Sequence, residues 1–128
     1  MAHILLIEPD RVLATTYFES LSAAGHNVMI AVGAQTAVMT ADRQLPDVIV
    51  LELQLVEHSG IEFLYELRSY PEWQNIPVIL HTQVPPAEFN DTAKIMRQEL
   101  GVQDYLYKPH TTLKQLLIAI QEQLPVVA

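Results

Sequence analysis

The sequence predicts an α/β fold: a five-stranded parallel sheet with helices on both faces. Three observations carry that expectation. Short, wholly apolar runs, of which Val48-Ile-Val-Leu51 is the clearest, show no polar alternation and read as strands buried on both faces. Segments with apolar residues at helical spacing separate these runs, so strands and helices alternate along the chain. Each strand run closes on polar residues, and in open parallel sheets sites form at the carboxyl ends of strands.

Taken in order, Ile4-Leu-Leu-Ile7 is the first strand, closed by Glu8-Pro9-Asp10. Pro9 has no backbone donor and suits a strand end or helix start better than a strand interior. Leu13, Tyr17, Leu21 and Ala24 form the stripe of the first helix, which Gly25 stops. Val28 to Val32 is the second strand, and Gly33 through Gln44 the second helix, with Ala37 and Ala41 inward and its end set by Pro46. The third strand, Val48 to Leu53, carries Glu52. Ser59 is the expected N-cap of a helix over Gly60 to Tyr70, with Glu62 in its first turn. Pro71 to Asn75 reads as a loop anchored on the core edge by Trp73.

Pro77-Val-Ile-Leu80 is the fourth strand, followed by His81, Thr82 and a Pro85-Pro86 turn. Phe89, Ala93, Met96 and Leu100 mark a helix over Ala87 to Leu100, ended by Gly101, with Ile95 off the stripe and exposed as a candidate partner contact. Asp104 to Tyr107 is the fifth strand, broken by Lys108-Pro109. Thr111 or Thr112 caps the last helix, carried by Leu113, Leu116, Leu117 and Ile120, and Pro125 to Ala128 is a tail or the start of a linker. Right-handed crossovers are expected throughout.

Composition bounds the function. At 128 residues the chain is expected to be one domain over 1–128, read either as stand-alone or as the N-terminal part of a longer protein. A formal charge of -8 with seven scattered basic residues argues against a nucleic-acid face. The absence of cysteine excludes disulfides, thiol catalysis and cysteine zinc sites. No apolar run approaches membrane-spanning length and no basic-then-apolar leader opens the chain, so a cytoplasmic protein is expected. His58, His81 and His110 fall near strand ends, but alternation sends His81 opposite to Thr82, and a histidine metal centre is not expected.

The parallel topology brings Glu8, Asp10, Glu52, Thr82 and Lys108 to one edge of the sheet. These residues and their flanks carry a resemblance over essentially the whole chain. Ile-Leu-Leu-Ile-Glu8-Pro9-Asp10, Pro-Asp-Val-Ile-Val-Leu-Glu52 with Gly60, Ile76-Pro-Val-Ile-Leu-His-Thr82 and Gly101-Val-Gln-Asp-Tyr105-Leu-Tyr-Lys108-Pro109 together resemble the receiver domain of two-component response regulators. The resemblance implies a flavodoxin-like fold and a signalling module, not an enzyme. It also implies a protein partner, either a histidine kinase or a downstream effector. In an ordinary receiver an aspartate takes a phosphoryl group from phosphohistidine and an acidic pair holds magnesium. A lysine and a Ser/Thr hydroxyl contact the phosphate, and that hydroxyl and a strand-five aromatic, here Thr82 and Tyr105, rearrange together.

Two departures make this a degenerate variant. Glu52 stands at the acceptor position, and its extra methylene moves the carboxylate by more than about 1 Å, a displacement that can cost on the order of a hundredfold in rate. Pro9 stands at the second position of the acidic pair and offers no carboxylate. Glu8, Glu52 and a backbone carbonyl near Gln54 are left to hold Mg2+ weakly at most, and Asp10, one residue out of register, is placed to cap the first helix instead.

A phosphorylation-independent pseudo-receiver acting by protein contacts is therefore expected, with a working phospho-acceptor with an altered metal site as the alternative. Glu52 reads as a partial mimic of the phosphorylated state or as a residue that merely satisfies Lys108 in a decayed site. A flavin or nucleotide binder on the same topology is disfavoured, because the Glu-Pro-Asp turn repels phosphate and lacks one amide. The last helix places Leu-Leu-Ile-Ala-Ile where receivers that dimerise through the same face as Asp104 usually carry a basic residue, so that dimer is not expected.

Overall fold

A computed structural model describes residues 2–125. The elements run β1 (His3–Ile7), α1 (Arg11–Ala23), β2 (Asn27–Ala31), α2 (Ala34–Arg43), β3 (Val48–Leu51), α3 (Gly60–Ser69), β4 (Val78–Thr82), α4 (Ala93–Gln98), β5 (Val102–Tyr107) and α5 (Leu113–Glu122). All five strands are parallel, in the order β2-β1-β3-β4-β5. The predicted α/β sheet with helices on both faces is what forms.

Alternation along β1 and β3 feeds two cores. Leu5, Ile7, Ile49 and Leu51 pack with Ala37, Phe63, Leu67 and Met96 under α2, α3 and α4. Ile4, Leu6, Val48 and Val50 pack with Tyr17, Leu21, Leu116 and Ile120 under α1 and α5. Both faces of these strands are therefore dry, which is why the sequence shows apolar runs instead of alternation.

The helix starts follow local chemistry. Asp10 Oδ1 accepts from the amides of Val12 and Leu13 at 2.9 and 3.1 Å, and Ser59 Oγ accepts from that of Glu62 at 3.1 Å. Of the two candidate caps for α5, Thr112 does the work in a reciprocal capping box with Gln115. Thr111 instead donates its hydroxyl to the Tyr107 carbonyl at 2.7 Å.

Several boundaries differ from expectation. The helix over Ala87 to Leu100 is not continuous: a 3-10 turn over Pro86–Phe89 precedes an α4 confined to Ala93–Gln98. Pro85 and Pro86 donate no amide, and Asn90, Asp91 and Thr92 favour local turn hydrogen bonds over helix. Met96 and Leu100 reach the core, but Phe89 and Ala93 are only half-buried. β4 extends through His81 and Thr82, β3 ends at Leu51, and β5 begins at Val102, since ladder pairing, not apolarity, sets strand ends. β2 stops at Ala31 and leaves Val32 exposed. Pro71–Trp73 forms a 3-10 turn inside the expected loop, with Trp73 buried. Ala24 is the exposed C-cap of α1, and Leu113 is exposed at the start of α5. Of the expected tail, only Pro125 lies within the described residues.

Two residues fix the geometry around the strand ends. Arg68 of α3 donates to the carbonyls of Trp73, Ile76 and Leu100 at 2.7, 2.7 and 2.9 Å, tying α3 to the loops that enter β4 and β5. Gly60 donates its amide to Leu53 O at 2.8 Å. A Cβ on Gly60 would lie 2.7 Å from Leu53 Cα and 3.1 Å from Glu52 O, both backbone atoms that cannot swing aside. Gly60→Ala is expected to destabilise the fold by about 1–3 kcal/mol, the cost of overpacking against a fixed backbone, read by urea titration. An unchanged midpoint would show that α3 moves away freely.

Candidate functional site

Four strand ends converge on one buried cluster. Glu8 follows β1, Glu52 follows β3, Thr82 ends β4 and Lys108 follows β5. The Lys108 side chain, 7% exposed, places Nζ 2.5 Å from Glu8 Oε1 and 2.8 Å from Glu52 Oε1. The remaining carboxylate oxygens are also engaged. Glu8 Oε2 accepts from the Asp10 amide at 3.1 Å. Glu52 Oε2 accepts from the Thr82 hydroxyl and, at 3.1 Å, from the Gln54 amide. Glu52 Oε1 accepts a second bond from the Gln83 amide at 3.1 Å. One ammonium thus faces two carboxylates, and backbone amides and a hydroxyl carry the excess negative charge.

The balance shows in the protonation equilibria. Burial pushes Glu52 up, but hydrogen bonds from Lys108, Thr82 and the Gln54 amide outweigh it and hold the carboxyl below its ordinary value. Burial pushes Lys108 down, and its bonds to Glu52 and Glu8 outweigh that and hold the ammonium charged. Both groups stay ionised at neutral pH.

Asp10, expected at this edge, does not join the cluster. Its side chain is spent on the α1 cap and it is exposed. This decides the metal question against the donor set. Magnesium wants near-octahedral oxygen ligands. Glu52 already takes four protein donors and each oxygen of Glu8 takes one, a lysine ammonium sits between the two carboxylates, and Pro9 supplies no oxygen. Among the described residues no group of three or more acidic or histidine side chains is placed to hold a metal ion. The residues present do not fit the magnesium that the resemblance implies.

From Glu52 a hydrogen-bonded path leads to β5. Thr82 Oγ1 donates to Glu52 and accepts from the Val84 amide at 3.1 Å, while Val84 O accepts from the Tyr105 hydroxyl at 2.7 Å. Tyr105 is half-buried, its ring 6.4 Å from that of Phe89. Burial, with Glu52 and Glu88 nearby, pushes its hydroxyl up to about 12, so it remains a donor. Beside it, a groove of about 300 Å³ opens between α4 and β5, lined by Phe89, Ala93, Met96, Val102 and Asp104 among others. Ile95 is exposed on α4.

The histidines lie in separate surroundings. His58 pairs with Glu62 at 3.4 Å on the surface, and His110 stands edge-on to Tyr107 at 5.0 Å. His81 is buried, turned to the α1 side opposite Thr82, with its ring 4.9 Å from Tyr17. Burial and then Lys108 push it down to about 4. The sequence reading missed Tyr17 and Gln83 as parts of this region. Gln83 contributes only an amide, which has no residue signature beyond its place after Thr82. Tyr17 lies on the apolar stripe of α1 and packs in the core as well as against His81.

These equilibria set a pH profile. Glu52, depressed, contributes stability that is present above its ordinary 4.5 and lost as pH falls through its lower folded value. Lys108, raised, contributes stability present below 10.5 and lost as pH rises through its folded value. His81, depressed from 6.5 to about 4, contributes stability present above pH 6.5 and lost between those values. That loss is expected to be of order 3 kcal/mol. His26, lowered by burial, adds a slope of the same sign. Denaturant titrations across this range are expected to show His81→Phe losing most of the slope between pH 6.5 and 4; an unaltered slope would place the titrating group elsewhere.

Comparison with known proteins gives the family and the fold. Residues 4–121 match the family model of the response regulator receiver domain. The KDP operon transcriptional regulatory protein KdpE of Escherichia coli is 32% identical over 109 residues, covering 85% of this chain and 45% of that protein. The probable transcriptional regulatory protein TcrX of Mycobacterium tuberculosis is 34% identical over 106 residues, covering 83% of this chain and 43% of its own. The chain thus spans less than half the length of these relatives. Among solved structures, the chemotaxis protein CheY4 of Vibrio cholerae superposes with a TM-score of 0.85 at 23% identity, over 97% of this chain and 99% of that one, a likeness of fold. With its five-stranded parallel sheet, its buried Glu8–Lys108–Glu52 cluster and a family match over nearly its whole length, the chain belongs to the response regulator receiver domains.

Proposed function

We propose that this receiver acts in two-component signalling by phosphorylation-independent protein contacts, as a pseudo-receiver with Glu52 at the acceptor position. The observation that carries the reading is the saturation of Glu52: Lys108, the Thr82 hydroxyl and the amides of Gln54 and Gln83 all donate to it. A carboxylate with both oxygens bonded to buried donors is a poor nucleophile, because attack on phosphorus must first break those bonds. The same donors are the groups that would stabilise a phosphoryl group on a shorter acceptor. Glu52 therefore stands in for part of that group, with one negative charge where an aspartyl phosphate carries nearly two.

The consequence runs along the path already described. Thr82 is drawn to Glu52, and Tyr105 is held inward on Val84 O. The face beside them, with its groove between α4 and β5 and Ile95 at its rim, is the surface a protein partner would read in a fixed state. The partner's class is a histidine kinase or a downstream effector.

Intact mass after incubation with acetyl phosphate and Mg2+ tests this reading. The natural chain is expected to gain no phosphoryl group, and a Glu52→Asp, Pro9→Asp double variant to gain one. Phosphorylation of the natural chain would overturn the proposal in favour of a working acceptor with an altered metal site. Glu52→Asp alone is expected to label far less than the double variant, since Pro9 still supplies no metal ligand. Equal labelling would show that Glu8 and Asp10 suffice for the metal.

A further inference from the structure

Lys108 is held in place from both sides of its backbone. Its carbonyl accepts from the Thr111 amide at 3.2 Å, and the Tyr107 carbonyl before it accepts from the Thr111 hydroxyl at 2.7 Å. Pro109 fixes the direction of the chain after it. The side chain crosses the end of β4, which lies between β5 and β3 in the sheet, and delivers its ammonium to the carboxylates that follow β3 and β1. Those carboxylates stand on an equally fixed frame. Ile7 and Leu51 are ladder partners, and the Glu52 amide donates to Ile7 O at 3.0 Å, so the backbones that carry Glu8 and Glu52 keep a set separation.

That separation decides what the pair can hold. Glu8 Oε1 and Glu52 Oε1 both face Nζ, at 2.5 and 2.8 Å. Calcium takes oxygen ligands at about 2.3–2.6 Å and magnesium at about 2.0–2.1 Å. The two oxygens are thus spaced for a cation, nearer to the larger ion than to the smaller, and the cation between them belongs to the chain. Glu8 is 2% exposed and Glu52 4%, so the ammonium cannot swing out to solvent without leaving two buried carboxylates face to face. A divalent ion entering beside it would meet a positive charge that has nowhere to withdraw.

We infer that Lys108 Nζ is the resident cation of this edge: from within the chain it fills the space between Glu8 and Glu52 that a divalent ion would bridge, and so bars divalent ions from the natural chain. The magnesium that the resemblance implies is excluded by this ammonium as much as by the missing carboxylate at Pro9. Lys108→Met removes the charge and keeps an unbranched apolar stem. It frees the same two oxygens, and their spacing favours calcium over magnesium. The inference concerns the chain without any phosphoryl donor, and its tests contain none, so it stands or falls apart from the reading of Glu52 as a mimic.

Calorimetric titrations and thermal melts with Ca2+ and Mg2+, each against NaCl of the same ionic strength, test it. The natural chain is expected to bind neither ion at millimolar concentration and to melt at the same temperature in either as in NaCl. Lys108→Met is expected to be less stable in chelator and to regain stability with Ca2+. It is expected to bind Ca2+ at least about tenfold more tightly than the natural chain does, with Mg2+ the weaker ligand. Adding Glu8→Gln to that variant is expected to abolish the response. Where Lys108→Met does not fold in chelator, circular dichroism during the Ca2+ titration reads the same result as recovery of the fold. A natural chain stabilised by either ion beyond NaCl, with that gain lost in Glu8→Gln, overturns the inference. So does a Lys108→Met variant that gains nothing from Ca2+, folded or unfolded, that prefers Mg2+, or whose response survives Glu8→Gln.

Discussion

One lysine between two carboxylates organises this molecule. Lys108 enters from the end of β5, Glu8 from the end of β1 and Glu52 from the end of β3. Without the ammonium, two carboxylates would share a pocket from which water is largely removed, and the electrostatic cost would fall on the strand ends themselves. With it, the cluster is still one charge short of neutral. The amides of Asp10, Gln54 and Gln83 must therefore point inward, and the loops after β1, β3 and β4 take the conformations that aim them. Gly60 belongs to the same requirement, because only a residue without Cβ lets α3 start against the backbone of Glu52 and Leu53.

That constraint connects chemistry to surface. The donors converging on Glu52 include Thr82, and Thr82 is bonded onward through Val84 to Tyr105. A continuous chain of hydrogen bonds therefore links Glu52 to the groove beside β5, some of whose walls come from the short α4. The break in the helical stretch before α4 leaves that side of the groove on a 3-10 turn and a few turn residues. Arg68 pins the other end, where Leu100 leads into β5.

Much of this was legible in the chain itself. The apolar runs of β1 and β3 announced a sheet covered on both faces, because no alternation survives when both sides are dry. Glu8, Glu52, Thr82 and Lys108 were found because parallel strands deliver their carboxyl ends to one edge. What escaped notice obeys a different logic. The amides of Gln54 and Gln83 carry half of the Glu52 bonds, and an amide has no letter in the sequence. Asp10 lay close enough in sequence to be counted with the cluster, and only the geometry of the α1 cap removes it. The apolar spacing before α4 is helical from Phe89 onward, but the prolines and turn-forming residues ahead of Ala93 decide where the helix starts. Arg68 gave no signal, since a guanidinium that caps carbonyls looks in sequence like any surface arginine.

The Glu8–Lys108 bond joins residues a hundred positions apart. During synthesis the first and third strands leave the ribosome long before the lysine does, and until it arrives their carboxylates have no cation to bury against. Burying either carboxylate without that cation carries a desolvation cost, which favours leaving Glu8 and Glu52 hydrated until β5 is in place. The last strand of the sheet thus supplies the cation against which the carboxylates at the ends of the first and third are buried, and the charge balance of this edge depends on all three strands at once.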